Sequence, residues 1–163
     1  PLAALLQQQG DARGTTEARL RMAAVHADAS DWDAVEKALA TIPAEALDNR
    51  EQAAALAIHR GEIAMGRGDR PMALKHADAA LADADAAHSY PMQLRARLLR
   101  MGIHLAGGNK AAANRELPEI DRLLQNYPAA ELRRTRARLV ESMRGTLSPA
   151  QRKVATTQGR GRG

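Results

Sequence analysis

Three short polar turns constrain this chain more than any other feature of its sequence. Ser30-Asp31, Gly68-Asp69 and Gly108-Asn109 recur at intervals of 38 and 40 residues, and each separates two stretches whose apolar residues have helical spacing. A helix–turn–helix unit of this length cannot bury its apolar face alone, so several units must stack. A second mark recurs as well. Ser89-Tyr90-Pro91 and Asn126-Tyr127-Pro128 lie 37 residues apart, each a small polar N-cap candidate followed by a proline at the start of a helix. Composition agrees with the pattern. Of 163 residues 36 are Ala, none is Phe, and Trp32, Tyr90 and Tyr127 are the only aromatics. Strong helix formers dominate and strand-favouring residues are scarce, which argues against an all-β fold.

The periodicity predicts seven helices, over residues 16–29, 32–41, from Asp48 to about Gly66, 70–87, 91–106, 110–126 and 128–144. Leu20, Ala23, Ala24 and Ala27 form the apolar stripe of the first. Ser30 with Asp33, and Asp48 with Glu51, have the spacing of capping pairs. Pro71 is tolerated in a first turn, whereas Pro118 predicts a kink or an early end. Ser148-Pro149 marks one further short turn, and the apolar-free residues 156–163 are predicted to be disordered. Leu2-Ala3-Ala4-Leu5-Leu6 reads as the end of a helix already under way, so the chain is expected to be part of a larger protein. The expected organisation is an upstream helix end and loop over 1–15, a helical repeat domain with a C-terminal capping helix over 16–144, and a basic tail over 145–163.

Gly61, Ala73 and Ala80, with the Gly68-Asp69 turn between them, resemble the tetratricopeptide repeat pattern: a small residue in a first helix twelve before an Ala in the second, and another Ala seven later. Gly102, Gly108-Asn109, Ala113 and Ile120 repeat the pattern more weakly, as do Ala23, Ser30-Asp31, Val35 and Ile42. The resemblance covers roughly residues 16–144 and about three repeats. It departs from the family in period, 38 to 40 residues against about 34, which predicts longer junctions between pairs. Ala57 and Ala64 also stand where bulk is usual. The resemblance implies an all-α, right-handed array of α-helical hairpin repeats, a solenoid of about seven helices. Generic helical hairpin repeats of another type are the alternative.

Several chemistries lack the residues they need. Without Cys there are no disulfides, thiolate metal sites or Cys nucleophiles. His26, His59, His76, His88 and His104 include no pair four apart, the spacing of a helical zinc site, so no metal is expected. Of the four serines Ser30, Ser89, Ser142 and Ser148, three sit at N-cap positions, and His88-Ser89 adjacency is not triad geometry. Gly66-Arg67-Gly68 and Gly107-Gly108 follow no strand, so they are turns rather than phosphate loops. Neither an enzyme nor a cofactor is expected. The longest apolar run, residues 53–58, is far too short to span a membrane.

The net charge of +5 is unevenly placed: residues 133–163 carry +8 and the remainder −3. Arg133, Arg134, Arg136 and Arg138 ring the last helix, and Gly159-Arg160-Gly161-Arg162-Gly163 resembles a short arginine-glycine tail. An anionic polymer, nucleic acid or exopolysaccharide, is therefore the alternative partner, although no aromatics interleave these arginines to stack bases. The favoured partner is a protein or peptide. Tetratricopeptide-like arrays present a groove lined by the first helix of each pair, here projected to include Glu17, Leu20, Ala24, Ile58, Glu62, Met65, Arg95, Leu98, Gly102 and Leu105, extended by Arg134 and Arg138. The resemblance implies that arginines there clamp carboxylates, with Arg95, Arg134 and Arg138 placed to do so. Trp32 and the two tyrosines are expected to pack over and between hairpins. The Ala- and Arg-rich, Lys-poor composition points to a high-GC bacterium and to the cytoplasm or periplasm. The predicted role is a protein–protein interaction scaffold or adaptor, with an accessory repeat domain of a signalling or envelope-export protein as a further alternative.

Overall fold

The computed structural model of the chain describes residues 11–29, 31–42 and 49–145. Ser30, Asp48, Leu2–Leu6, Ser148-Pro149 and the basic tail lie outside them. Among the described residues there are seven α-helices and no strands: α1 (Ala12–Asp28), α2 (Trp32–Ala40), α3 (Arg50–Gly66), α4 (Arg70–Ala86), α5 (Tyr90–Ala106), α6 (Lys110–Asn126) and α7 (Ala130–Gly145). No helix among them is long and apolar enough to cross a membrane.

Short acidic and amide side chains start most of them. Asp11 accepts from the Gly14 N–H at 2.7 Å, so α1 begins four residues earlier than its apolar stripe predicts. Asp31 accepts from Ala34 N, Asn49 from Glu51 N and Gln52 N, Asp69 from Met72 N and Asn109 from Ala112 N. The caps of α2 and α3 are thus Asp31 and Asn49, one residue beyond the predicted Ser30 and Asp48. Ser89 stands at the N-cap of α5, but its hydroxyl donates instead to Glu51 at the start of α3, 2.8 Å away.

The structure corrects the expectation of long junctions for every pair after the first, where nine residues separate α2 from α3. Helices α3 to α6 each run 17 residues and are joined by three-residue turns. All three turns close in the same way: Asp69 N donates to Ala64 O, Ser89 N to Ala84 O and Asn109 N to His104 O, a bond spanning the last helical turn. Between Gly68 and Gly108 the longer period therefore comes from longer helices. The residue before each donor is left-handed: Gly68 at φ 79°, Gly108 at φ 75° and His88 at φ 51°. A side chain in that region costs about 1 kcal/mol, so His88→Gly is predicted to raise stability by about that amount in urea denaturation.

Packing follows from small residues in the middle and large ones at the ends. Ala73, Ala77, Ala80 and Ala84 of α4 are fully buried, a stripe at helical spacing. It lets α4 lie close against α3 and α5. Gly61 is part of this approach, since a Cβ there would stand 2.8 Å from Leu99 Cδ2 and 3.4 Å from the Ala73 carbonyl. At one end Leu20, Val35, Leu39, Leu56 and Ile63 join α1, α2 and α3, with Trp32 packed on them and against Gly66. At the other, Leu94, Leu98, Met101, Ile120 and Leu123 join α5 to α6, and Leu132, Leu139 and Val140 of α7 lie on them. Pro118 neither ends nor shortens α6, which runs intact to Asn126.

Beyond neighbours in sequence, α1 packs on α3, α3 on α5, and α5 on α7. Alternate helices therefore form one contiguous layer, which places the groove.

Candidate functional site

The layer of α1, α3, α5 and α7 carries three adjoining hollows of about 330, 410 and 340 Å³. The first lies between Glu17, Leu20 and Arg21 of α1, Glu51 and His59 of α3, and Arg95 of α5. The middle one is bounded by Ala24 and Ala27 of α1 on one side and by Tyr127, Ala129, Glu131 and Leu132 on the other. The third runs between Glu62 and Met65 of α3, Leu98 and Gly102 of α5, and Thr135, Arg138 and Leu139 of α7. Successive hollows share residues, and Arg95 lines all three. They form one groove, and none of α2, α4 or α6 contributes to it.

The groove mixes charges. Glu17, Glu51, Glu62 and Glu131 face Arg21, Arg95 and Arg138. Most have partners within the chain. Arg21 holds Glu17 at 2.6 Å, Glu51 accepts from Ser89, and Arg138 donates to Thr135 Oγ1. Glu62 meets Nδ1 of His59 at 2.8 Å, and that imidazole is itself buried in the floor. Arg95 and Glu131 have no hydrogen bond or ion pair among the described residues. A half-buried guanidinium at the junction of three hollows, with all its donors open, is suited to a carboxylate, which it meets with two parallel hydrogen bonds.

Of the residues projected onto the groove, Glu17, Leu20, Ala24, Glu62, Met65, Arg95, Leu98, Gly102 and Arg138 line it. Ile58 does not. It is 1% exposed and packs with Ala57, Ala80, Leu81 and Ala96. The projection misplaced it because α3 has neighbours on nearly every side and shows no clean amphipathic face. Leu105 is half-buried against the α5–α6 core, and Arg134 is exposed outside the hollows.

The ring of arginines on α7 is divided among several tasks. Arg136 grips Asp121 with two bonds of 2.9 and 3.0 Å, Arg133 donates to the Leu124 carbonyl, and Arg138 turns into the groove. Tyr90 and Tyr127 do not fill the space between hairpins as expected; they are 48% and 40% exposed, and Tyr127 lines the middle hollow. Its signal in the sequence was an aromatic at a junction, where packing was the default reading. Among the described residues no three His, Asp or Glu side chains converge as a metal would require.

No protein-family model, curated protein or solved structure gives a significant match to the chain.

Proposed function

We propose that the chain is a right-handed stack of helical hairpins, similar to a tetratricopeptide array, and that it acts as an interaction module holding a peptide segment of a partner protein in the groove of α1, α3, α5 and α7. The observation that carries this reading is Arg95. It lines every part of a continuous groove and has no partner of its own among the described residues, so an acidic side chain or chain terminus of a peptide would find there a guanidinium ready to bind it. Packing of alternate helices into one layer supports the stack reading. Specificity follows from Glu62 and Glu131, which line the hollows beside Arg95 and disfavour an acid placed against them.

Selection from a displayed random-peptide library tests the proposal. The intact chain is predicted to enrich peptides with a fixed acidic position. Arg95→Glu would weaken them by about a hundredfold, since an attraction becomes a repulsion, while Arg134→Glu, outside the hollows, would leave them unchanged. Peptides bound equally by the intact chain and Arg95→Glu would refute it, as would selection of no peptide.

A further inference from the structure

Comparison of the hairpins with one another exposes a second site, on the side of the molecule away from the groove. The N-caps Asp31, Asp69 and Asn109 align α2, α4 and α6, and the turn glycines Gly68 and Gly108 align α3 with α5. In this register Arg100 of α5 corresponds to Arg60 of α3, each eight residues before its turn glycine. Arg100 bridges the seam between α4 and α6, where it meets Asp78 at 3.3 Å and Glu116 at 3.1 Å. Counting from the caps, the residue corresponding to Asp78 is Ala40, and the one corresponding to Glu116 is His76. Both carboxylates are therefore missing from the seam between α2 and α4.

A hollow of about 460 Å³ stands there, with Arg60, Ala40 and His76 all on its wall. Arg60 has no hydrogen bond or ion pair among the described residues. The neighbouring charges are committed elsewhere: Arg67 holds Glu36 at 2.7 Å and Asp33 at 3.5 Å, and Asp69 caps α4. Burial and the cations Arg60 and Lys75 hold the His76 imidazole below its ordinary pKa, and an imidazole supplies no countercharge to Arg60 in either protonation state. The floor is apolar, with Leu39, Ile63 and Met72. Met72 is 41% exposed.

We propose that this hollow binds a small organic carboxylate with an apolar body. Its carboxylate takes on Arg60 the place that Asp78 and Glu116 take on Arg100, and its body lies over Leu39, Ile63 and Met72. The size of the hollow is in the range of small-molecule sites. The inference is independent of the groove and of any peptide it holds.

The test is an amide-resolved NMR titration of the intact chain with hexanoate, with hexan-1-ol as the uncharged probe of the same apolar body. Hexanoate is predicted to shift the amides of Ala40, Ile63, Ala64 and Met72 saturably, and hexan-1-ol to bind about tenfold more weakly, the worth of one charge-assisted contact. Arg60→Gln, an exposed position, abolishes the difference between the two. Ala40→Asp with His76→Glu restores the missing carboxylates, so it excludes hexanoate while keeping or raising the melting temperature. Hexanoate shifts that do not saturate at these amides, equal binding of the two probes, or full hexanoate binding by the Ala40→Asp/His76→Glu chain would each overturn the proposal.

Discussion

Replacing Glu116 with alanine is predicted to destabilise the fold by about 3–5 kcal/mol, the cost of stranding buried charge. Glu116 is 5% exposed, yet its carboxylate is shared between Arg97 at 3.0 Å and Arg100 at 3.1 Å on the facing helix. Those guanidiniums are themselves largely covered, and the Nε of each is buried without a partner. Removing the anion they share leaves two cations one turn apart in a poorly hydrated seam, where Asp78 reaches only Arg100 and Glu119, paired with Arg122, acts on Arg97 from a distance. The loss would be a large share of a stability of about 5–15 kcal/mol, and the urea midpoint would fall accordingly. The pairing itself adds little beyond an apolar packing of the same shape. The triple variant Arg97→Met/Arg100→Met/Glu116→Leu is accordingly predicted to recover most of the loss. A single variant as stable as the parent chain would show that water already solvates these arginines.

The second large effect has the opposite sign. Pro118 sits in the ninth position of a 17-residue helix, where it removes one backbone hydrogen bond to the Asn114 carbonyl and crowds that turn. Alanine is the better helix former by about 3 kcal/mol in a helix interior. Pro118 is exposed, so its ring contributes little packing that alanine would forfeit. Pro118→Ala is therefore predicted to raise stability by about 3 kcal/mol, or the melting temperature by about 6–12 °C for a chain of this size. Calorimetry of the two proteins decides it, and an unchanged melting temperature would mean that α6 uses the proline to fit its neighbours.

The helices were readable because their punctuation is local. Gly68-Asp69 and Gly108-Asn109 carry both the left-handed residue and the next cap, and no tertiary contact is needed to interpret them. His88-Ser89 performs the same turn without glycine, so its likeness to the two glycine turns stayed hidden although the helix bounds on either side were readable to within a residue. The groove was readable to the extent that its helices are amphipathic. Residues of α1 projected well, whereas α3 is buried on several sides and Ile58 fell in the core, and Leu105 of α5 and Arg134 of α7 fell outside the hollows. Glu116 left a trace, a lone charge within the buried stripe Ala112, Ala113, Ile120, Leu123, but its two arginine partners on another helix could not be inferred from it. The register of the hairpins lies in the three turns, but the bridge from Arg100 to Asp78 and Glu116, and the hollow where Arg60 lacks its counterpart, needed three dimensions.

The central claim is that α1 and α7 face each other across one groove and that a peptide lies between them. The chain has no cysteine, so Ala27→Cys/Ala129→Cys, on opposite sides of the middle hollow, can be bridged with a short bismaleimide without side reactions. An intramolecular bridge should form in the monomer, and the bridged chain should lose the peptides selected by display, while a Val25→Cys/Ala129→Cys control, with Val25 67% exposed and outside the hollows, should not bridge. Failure of the Ala27 pair to bridge, or undiminished peptide binding after it has bridged, would contradict the account.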